Sequence, residues 1–245
     1  MEHPEIEVRT MLRIPGTWSH PGELIERLPT GFGLTPEMLV MPDGQEIEFA
    51  AMPPDDQFAE VFRCACRQPA TDEEMAMVER YQVNIGLIGP GGSLQAAVTM
   101  MQAGAAMVMA GGAGVFIDNS ALAHGGTEWL AMTEDAGPDA VSFAYVGIVR
   151  GAQDVWTMGT HVLGLPDIVM RREDPEADGE TIFELIQSLC QGDKPLGHGH
   201  VVADEAGPRF RAEATPNDAF AADSPMHNPF GRLRLVSLKD IAQRN

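Results

Sequence analysis

Three short stretches of the chain hold side chains able to move protons, bind a metal or grip a ligand. Asp118, Asn119 and Ser120 follow the uncharged run 114–117, and His124 lies four residues beyond Ser120. Polar groups at the end of a buried strand are the raw material of many sites in α/β arrangements. The same residue types also build Asx turns and helix caps. No Gly-x-Ser-x-Gly elbow surrounds Ser120, which argues against a nucleophilic serine. The stretch from Trp156 to Asp167 is denser: Thr157, Thr160, His161 and Asp167 supply donors and acceptors around Gly159 and Gly164. His198 and His200 flank a glycine, and on a strand that spacing turns both imidazoles to one face, a start for a metal site with Asp204 close by.

The candidate binding residues are therefore Asp118, Asn119, His124, Thr157, His161 and Asp167, and the candidate metal ligands are His198 and His200. Two other features are weaker. Gly89-Pro90-Gly91-Gly92-Ser93 joins a strand to a helix, where free amides can hold a phosphate, but it lacks the P-loop lysine and the dinucleotide spacing. Ser93 as a helix cap accounts for it. Cys64 and Cys66 are two apart on a helix, so they point in different directions and support neither zinc nor a redox pair. No cofactor is expected.

The elements that must position these residues are read from periodicity. Glu5 to Ile14 is strand-like, and Ser19 with Pro21 starts a short helix. Residues 37–41 and 45–52 flank Pro42-Asp43-Gly44 as a hairpin. Phe58, Val61, Phe62 and Ala65 mark a helix, and Thr71 with Glu74 forms a capping box for the next, whose buried stripe is Met75, Val78 and Tyr81. A strand over 83–88 completes an order matching the split βαβ, ferredoxin-like plan, with one extra helix. The helix from Ser93 to Met109 is apolar all round and should be the most buried. Then come a strand at 114–117, a helix at 127–134, an antiparallel pair at 141–150 and 154–160, and a helix through Ile182, Leu185, Ile186 and Leu189. Strands near 199–203, 208–214 and 233–236 follow, the last after an irregular connection at 215–230.

The expected fold class is α+β: two packed sheet-and-helix halves with mixed, mainly antiparallel sheets, the first half ferredoxin-like. The 245 residues form a single compact unit, with 1–88 and 89–245 as its halves. If strand 154–160 returns antiparallel to 141–150, it delivers Thr160 and His161 to a rim. The expectation is one polar cleft in which Asp118, Asn119 and His124 lie beside Thr157, His161 or Asp167.

Composition limits the partners. The formal charge is −20, from 36 acidic and 16 basic side chains, which repels phosphate backbones and anionic membranes and attracts a basic protein partner. Nucleic acid is therefore not expected. Solubility alone also accounts for such a charge. Three cysteines fit a reducing compartment, and the start Met1-Glu2-His3-Pro4-Glu5 lacks the pattern of a secretory signal, so a cytoplasmic location is expected. The stretch between Arg80 and Asp118 carries no charge, but its glycines, its glutamines at 95 and 102 and the absence of flanking basic clusters argue against a membrane span.

Three features together resemble the bacterial domain of unknown function 4261 family. They are the Ala-rich helix from Ser93, the block Gly114-Val115-Phe116-Ile117-Asp118-Asn119-Ser120 with His124 and Trp129 after it, and Thr157-x-Gly159 leading to Gly164-Leu165-Pro166-Asp167. The family pattern places a second acidic residue shortly after the Pro-acidic pair, where this chain has Val169. The resemblance implies an intracellular bacterial α+β protein without an established activity. Some related families sit beside toxin or secretion genes, which by association suggests an immunity role. With no specific catalytic constellation in the residues, the leading expectation is a non-enzymatic binding or regulatory protein, immunity-like in type. The alternative is a hydrolase or metal-dependent enzyme using the Asp118/His124 region or His198/His200.

Overall fold

A computed structural model describes residues 7–173, 179–191, 196–204 and 207–238. The chain opens with β1 (Arg9–Gly16), α1 (Pro21–Arg27), β2 (Gly33–Leu34), β3 (Met38–Val40) and β4 (Glu46–Met52). The hairpin between β3 and β4 is the expected one, turning at Gly44 with φ 86°. α1 is capped by His20 rather than Ser19: His20 Nδ1 accepts from Glu23 N–H, while the Ser19 N–H and hydroxyl both donate to the Glu23 carboxylate.

α2 (Phe58–Ala65) and α3 (Asp72–Glu79) follow, and Thr71 and Glu74 form the reciprocal capping box. β5 (Val83–Pro90), α4 (Leu94–Met109), β6 (Gly114–Ile117) and β7 (Leu122–Gly125) complete the first sheet and its central helix. β7 has no counterpart in the sequence reading. Its four residues, half of them a histidine and a glycine, show no alternation.

The first sheet has strand order β2-β3-β4-β5-β1-β6-β7, antiparallel throughout. This is not the split βαβ order. That plan seats the first strand beside β4, but β5 already pairs with β4 over Glu48–Met52, and β1 pairs with the other edge of β5 over its whole length. One sequence of element types is compatible with several strand orders, and the partner of β1 is settled by ladder length.

α5 (Gly126–Asp135) leads into α6 (Pro138–Tyr145), then β8 (Gly147–Arg150), β9 (Asp154–Met158), a 3-10 turn (Thr160–Leu163) and β10 (Asp167–Arg171). The strand expected over 141–150 is thus mostly helix. Val141, Ala144 and Tyr145 are its buried apolar residues, a helical spacing, and Pro138 opens the helix after Gly137. The alternation of Val141, Phe143 and Tyr145 fits both periods over so short a window, and the Gly-Pro start decides between them. Only β8 remains of the strand, and it does pair antiparallel with β9.

α7 (Gly179–Gln191), β11 (Val201–Asp204), β12 (Gly207–Thr215) and β13 (Arg232–Ser237) end the described chain. The second sheet has order β11-β12-β13-β10-β9-β8, antiparallel except where β10 runs parallel to β13. The α+β class with mainly antiparallel sheets is as expected. The passage from one sheet to the other falls between Gly125 and Gly147, well after residue 88. Among the described residues no helix is long and apolar enough to cross a membrane.

Each face of the first sheet has its own core. Leu12, Ile14, Ile85, Leu87, Val115 and Ile117 face α4, whose Ala97, Met100, Met101 and unbroken run from Ala103 to Val108 are buried. That cluster continues through α6 and α7 to the inner face of the second sheet, including Val155, Ile168 and Leu233. On the opposite face, Phe116 and Ala123 pack with Phe58, Phe62, Val78 and Tyr81 of α2 and α3.

Candidate functional site

Asn119 sits just past β6 and takes over the ladder where β6 has ended. Its Oδ1 accepts from Met11 N–H at 2.8 Å and its Nδ2 donates to Arg9 O at 3.0 Å. The second Nδ2 proton goes to Pro225 O at 3.1 Å. His161 Nε2 lies 3.0 Å from both Asn119 Nδ2 and Pro225 O, and its Nδ1 is buried without a partner. With both Asn119 protons directed at carbonyls, the arrangement that satisfies most groups has Nε2–H donating to Pro225 O. A second proton, on Nδ1, would find no acceptor. Burial pushes the His161 pKa down to about 4.

A second chain of hydrogen bonds adjoins it. Asn228 Nδ2 donates to Thr160 Oγ1 and to Leu165 O, both at 3.0 Å. Thr160 Oγ1 donates to Asp167 at 2.6 Å, and Thr157 Oγ1, which accepts from Ile168 N–H, lies 3.4 Å from the same carboxylate oxygen. Burial raises the Asp167 pKa to about 6 against the pull of these donors and of Arg232. Gly159 and Gly164, at φ 85° and 79°, bracket the turn that presents Thr160 and His161 to one side.

Together these residues form a packed clasp. Asn119 and Asn228 are each 1% exposed and His161 is 2% exposed. Segment 216–231, the irregular connection between β12 and β13, lies over them and is largely exposed except at Asn228. Among the candidates, the structure brings Asn119 and His161 together on the Pro225 carbonyl, and joins Thr157 to Asp167. Asp118, next to Asn119, turns instead to Arg13, with Nε 2.8 Å away.

His124 does not share this network. It lies opposite Val115, three residues and so about 10 Å along the strand from Asp118. Its Nδ1 is 2.9 Å from Glu128 and its Nε2 is 3.0 Å from Ala144 O, among Trp129 and Phe143. His124 ties β7 to α5 and α6.

His198 and His200 lie in the turn before β11, not on a strand, and both are exposed. His198 Nδ1 accepts from Ala214 N–H and His200 Nδ1 from Gly197 N–H, each at 3.1 Å. Each neutral ring then carries its proton on Nε2, the nitrogen a metal would need. Among the described residues no group of three His, Cys, Asp or Glu is placed to hold a metal ion; the Asp204 side chain lies outside the described residues. In the glycine turn, Gly91 N–H donates to Val8 O and Gly92 N–H to Val162 O, both at 2.9 Å, so these amides are already engaged.

Two residues escaped the sequence reading. Asn228 offered only the Asn-Pro dipeptide, a generic turn signal. Glu74 was read as half of a capping box, yet its carboxylate also accepts from the Thr127 N–H at 2.7 Å and hydroxyl at 2.9 Å, capping α5 from another helix. Burial would raise the Glu74 pKa, but the donors from Thr127 and Thr71 outweigh it and hold the group below its ordinary value.

Outside the clasp, α2 and α3 cover only part of the outer face of the first sheet. Register places Met38, Glu48, Ile88 and Met11 in one row across β3, β4, β5 and β1. This row borders an open concavity of about 630 Å³, with Glu7, Glu46 and Glu48 around Met38 and Ile88. Arg9 is its one cation among the described residues, with Nη2 2.6 Å from Glu48 and Nη1 3.5 Å from Glu7. Glu46 has no ion pair among the described residues. The molecule is thus an α+β protein with a closed polar clasp and an open acidic face. No protein-family model, curated protein or solved structure matches the chain.

Proposed function

We propose that the protein is a non-enzymatic binding or regulatory protein that docks a basic protein partner on the uncovered outer face of its first sheet. The observation that carries this reading is the division of labour among its polar groups. The clasp residues Asn119, His161, Asp167 and Asn228 are buried and committed to partners within the chain, while the face left open pairs apolar Met38 and Ile88 with Glu7, Glu46 and Glu48. A segment rich in Lys and Arg complements that face, and the overall charge of −20 steers it there. The resemblance to the domain of unknown function 4261 family, some of whose related families sit beside toxin or secretion genes, fits the same reading.

The test is affinity capture from the cell of origin with the wild-type chain and with the double variant Glu46→Lys/Glu48→Lys. Both positions are exposed and the Glu48–Arg9 pair lost in the variant is a surface one, so the variant should lose no more than about 1 kcal/mol of stability and remain folded. The expected result is a basic partner whose retention falls as salt screens charges beyond about 8 Å and is lost in the variant. Capture of the same partner by both chains, or retention indifferent to salt, overturns the proposal.

A further inference from the structure

The inner face of the first sheet is sealed at one end and open at the other. Along β4 the inward positions Ile47, Phe49 and Ala51 run from buried through half-buried to exposed, and along β5 Leu87, Ile85 and Val83 open in the same direction. α4 packs against β5, β1 and β6 and leaves this end to α1, which is only seven residues long. The result is a pocket of about 370 Å³ walled by Trp18, Leu24, Phe49, Ala51, Val83 and Ile85. Its volume is at the small end of the range for ligand sites.

The walls restrict what can enter. Trp18 Nε1 donates to Ala110 O at 2.8 Å, so the indole has no polar group left to offer and presents carbon alone. Gly16 makes room for this ring, since a Cβ there would overlap it. The polar groups at the pocket are Ser19, His20 and Gln82. The Ser19 hydroxyl is taken by Glu23. His20 Nδ1 accepts from Glu23 N–H at 3.2 Å, which places the proton of the neutral ring on Nε2 and makes that atom a donor. The Gln82 amide adds another donor, and its side chain is exposed. An apolar slot between aromatic walls, with donors at its rim, is complementary to one kind of molecule.

We infer that this pocket binds a small, flat, apolar ring compound carrying a hydrogen-bond acceptor on one edge, with the ring against Trp18 and Phe49 and the acceptor toward His20 and Gln82. The site is separate from the acidic outer face, because its walls come from the opposite side of β4 and β5.

Quinoline, a two-ring compound with one acceptor nitrogen, is the probe, and naphthalene is its match without the acceptor. Each is titrated into the ¹⁵N-labelled full chain, following the indole N–H signals of the three tryptophans and the backbone amides of 82–85. The expected result is a saturable shift of the Trp18 signal and of those amides with quinoline, with naphthalene several-fold weaker. Ala51→Trp fills the pocket from an exposed position on a strand, where a large aromatic residue is well tolerated. It should weaken quinoline binding by at least about tenfold, equivalent to 1.4 kcal/mol, while the melting temperature stays at or above the wild-type value. Absence of a saturable shift, equal binding by Ala51→Trp, or naphthalene binding as tightly as quinoline overturns the inference.

Discussion

The turn Thr160–Leu163 faces two ways, and its two sides are held by opposite means. Val162 and Leu163 enter the apolar core against α4, whereas Thr160 and His161 enter the polar clasp. The α4 side is closed by non-directional burial. One backbone bond, Gly92 N–H to Val162 O, joins the turn to the start of α4, and aromatic side chains donate to carbonyls of that helix and its cap: Trp129 Nε1 to Met101 O, Tyr145 OH to Ala97 O and Trp18 Nε1 to Ala110 O. The clasp side is closed by directed hydrogen bonds between side chains and loop backbone. Apolar packing holds the turn in place across conditions, while the clasp specifies which loop lies on it and ties that choice to protonation.

The comparison can be broken first on the apolar side. Trp129 is fully buried and packs edge-on to Tyr145. Trp129→Ala should cost about 3–5 kcal/mol, visible as a lower denaturation midpoint in urea with no change in its dependence on pH. On the polar side the expected effect is smaller and local. Asn228→Ala removes both donors to Thr160 and Leu165 O and should cost about 2–3 kcal/mol. Hydrogen exchange should quicken in 216–231 and at Thr160, while α4 changes only by the global loss. Equal loss of protection in α4 and the loop would mean that the two sides are one unit.

The smallest effect sharpens the comparison through pH. Asp167 has a folded pKa of about 6 against an ordinary 3.8, so its contribution to stability is complete below pH 3.8 and is lost as pH rises through 6. His161 has a folded pKa of about 4 against 6.5, so its contribution is complete above 6.5 and is lost as pH falls through 4. Between pH 4 and 6 the two slopes oppose each other. Asp167→Asn should stabilise the protein at pH 7 by about 1–2 kcal/mol and show little gain below pH 4. Between those limits it should uncover the His161 slope, with stability falling more steeply than wild type as the solution is acidified. Urea denaturation of both chains at pH 4, 5, 6 and 7 measures this, and parallel profiles would sink it.

What the sequence disclosed follows the same division. The capping box at Thr71 and Glu74, the helix from Ser93 and the strand 114–117 depend on neighbours within a turn or two, and they are where periodicity and cap chemistry place them. Asn119, Thr157, His161 and Asp167 were recognisable as unusual because polar residues interrupt runs destined for the interior. What they touch was not recognisable. Asn228 is 68 residues from Thr160, and Thr127 is 53 residues from Glu74. The seating of β1 beside β5 and the helical state of 138–145 were likewise decided by partners that local pattern does not encode. Burial was legible, and pairing across distance was not.

Considered as an event in time, the clasp is a late arrival. Its bonds close spans of 64 and 106 residues, from His161 to Pro225 and from Asn119 to Pro225. Each closure costs chain entropy before any contact repays it, and such contacts slow folding. α4, by contrast, begins from a Ser93 cap and helical bonds only four residues long. A nascent chain can therefore assemble the first sheet around α4 while 216–231 is still being made, and the loop that closes over Asn119 and His161 arrives together with β13, the strand that completes the second sheet.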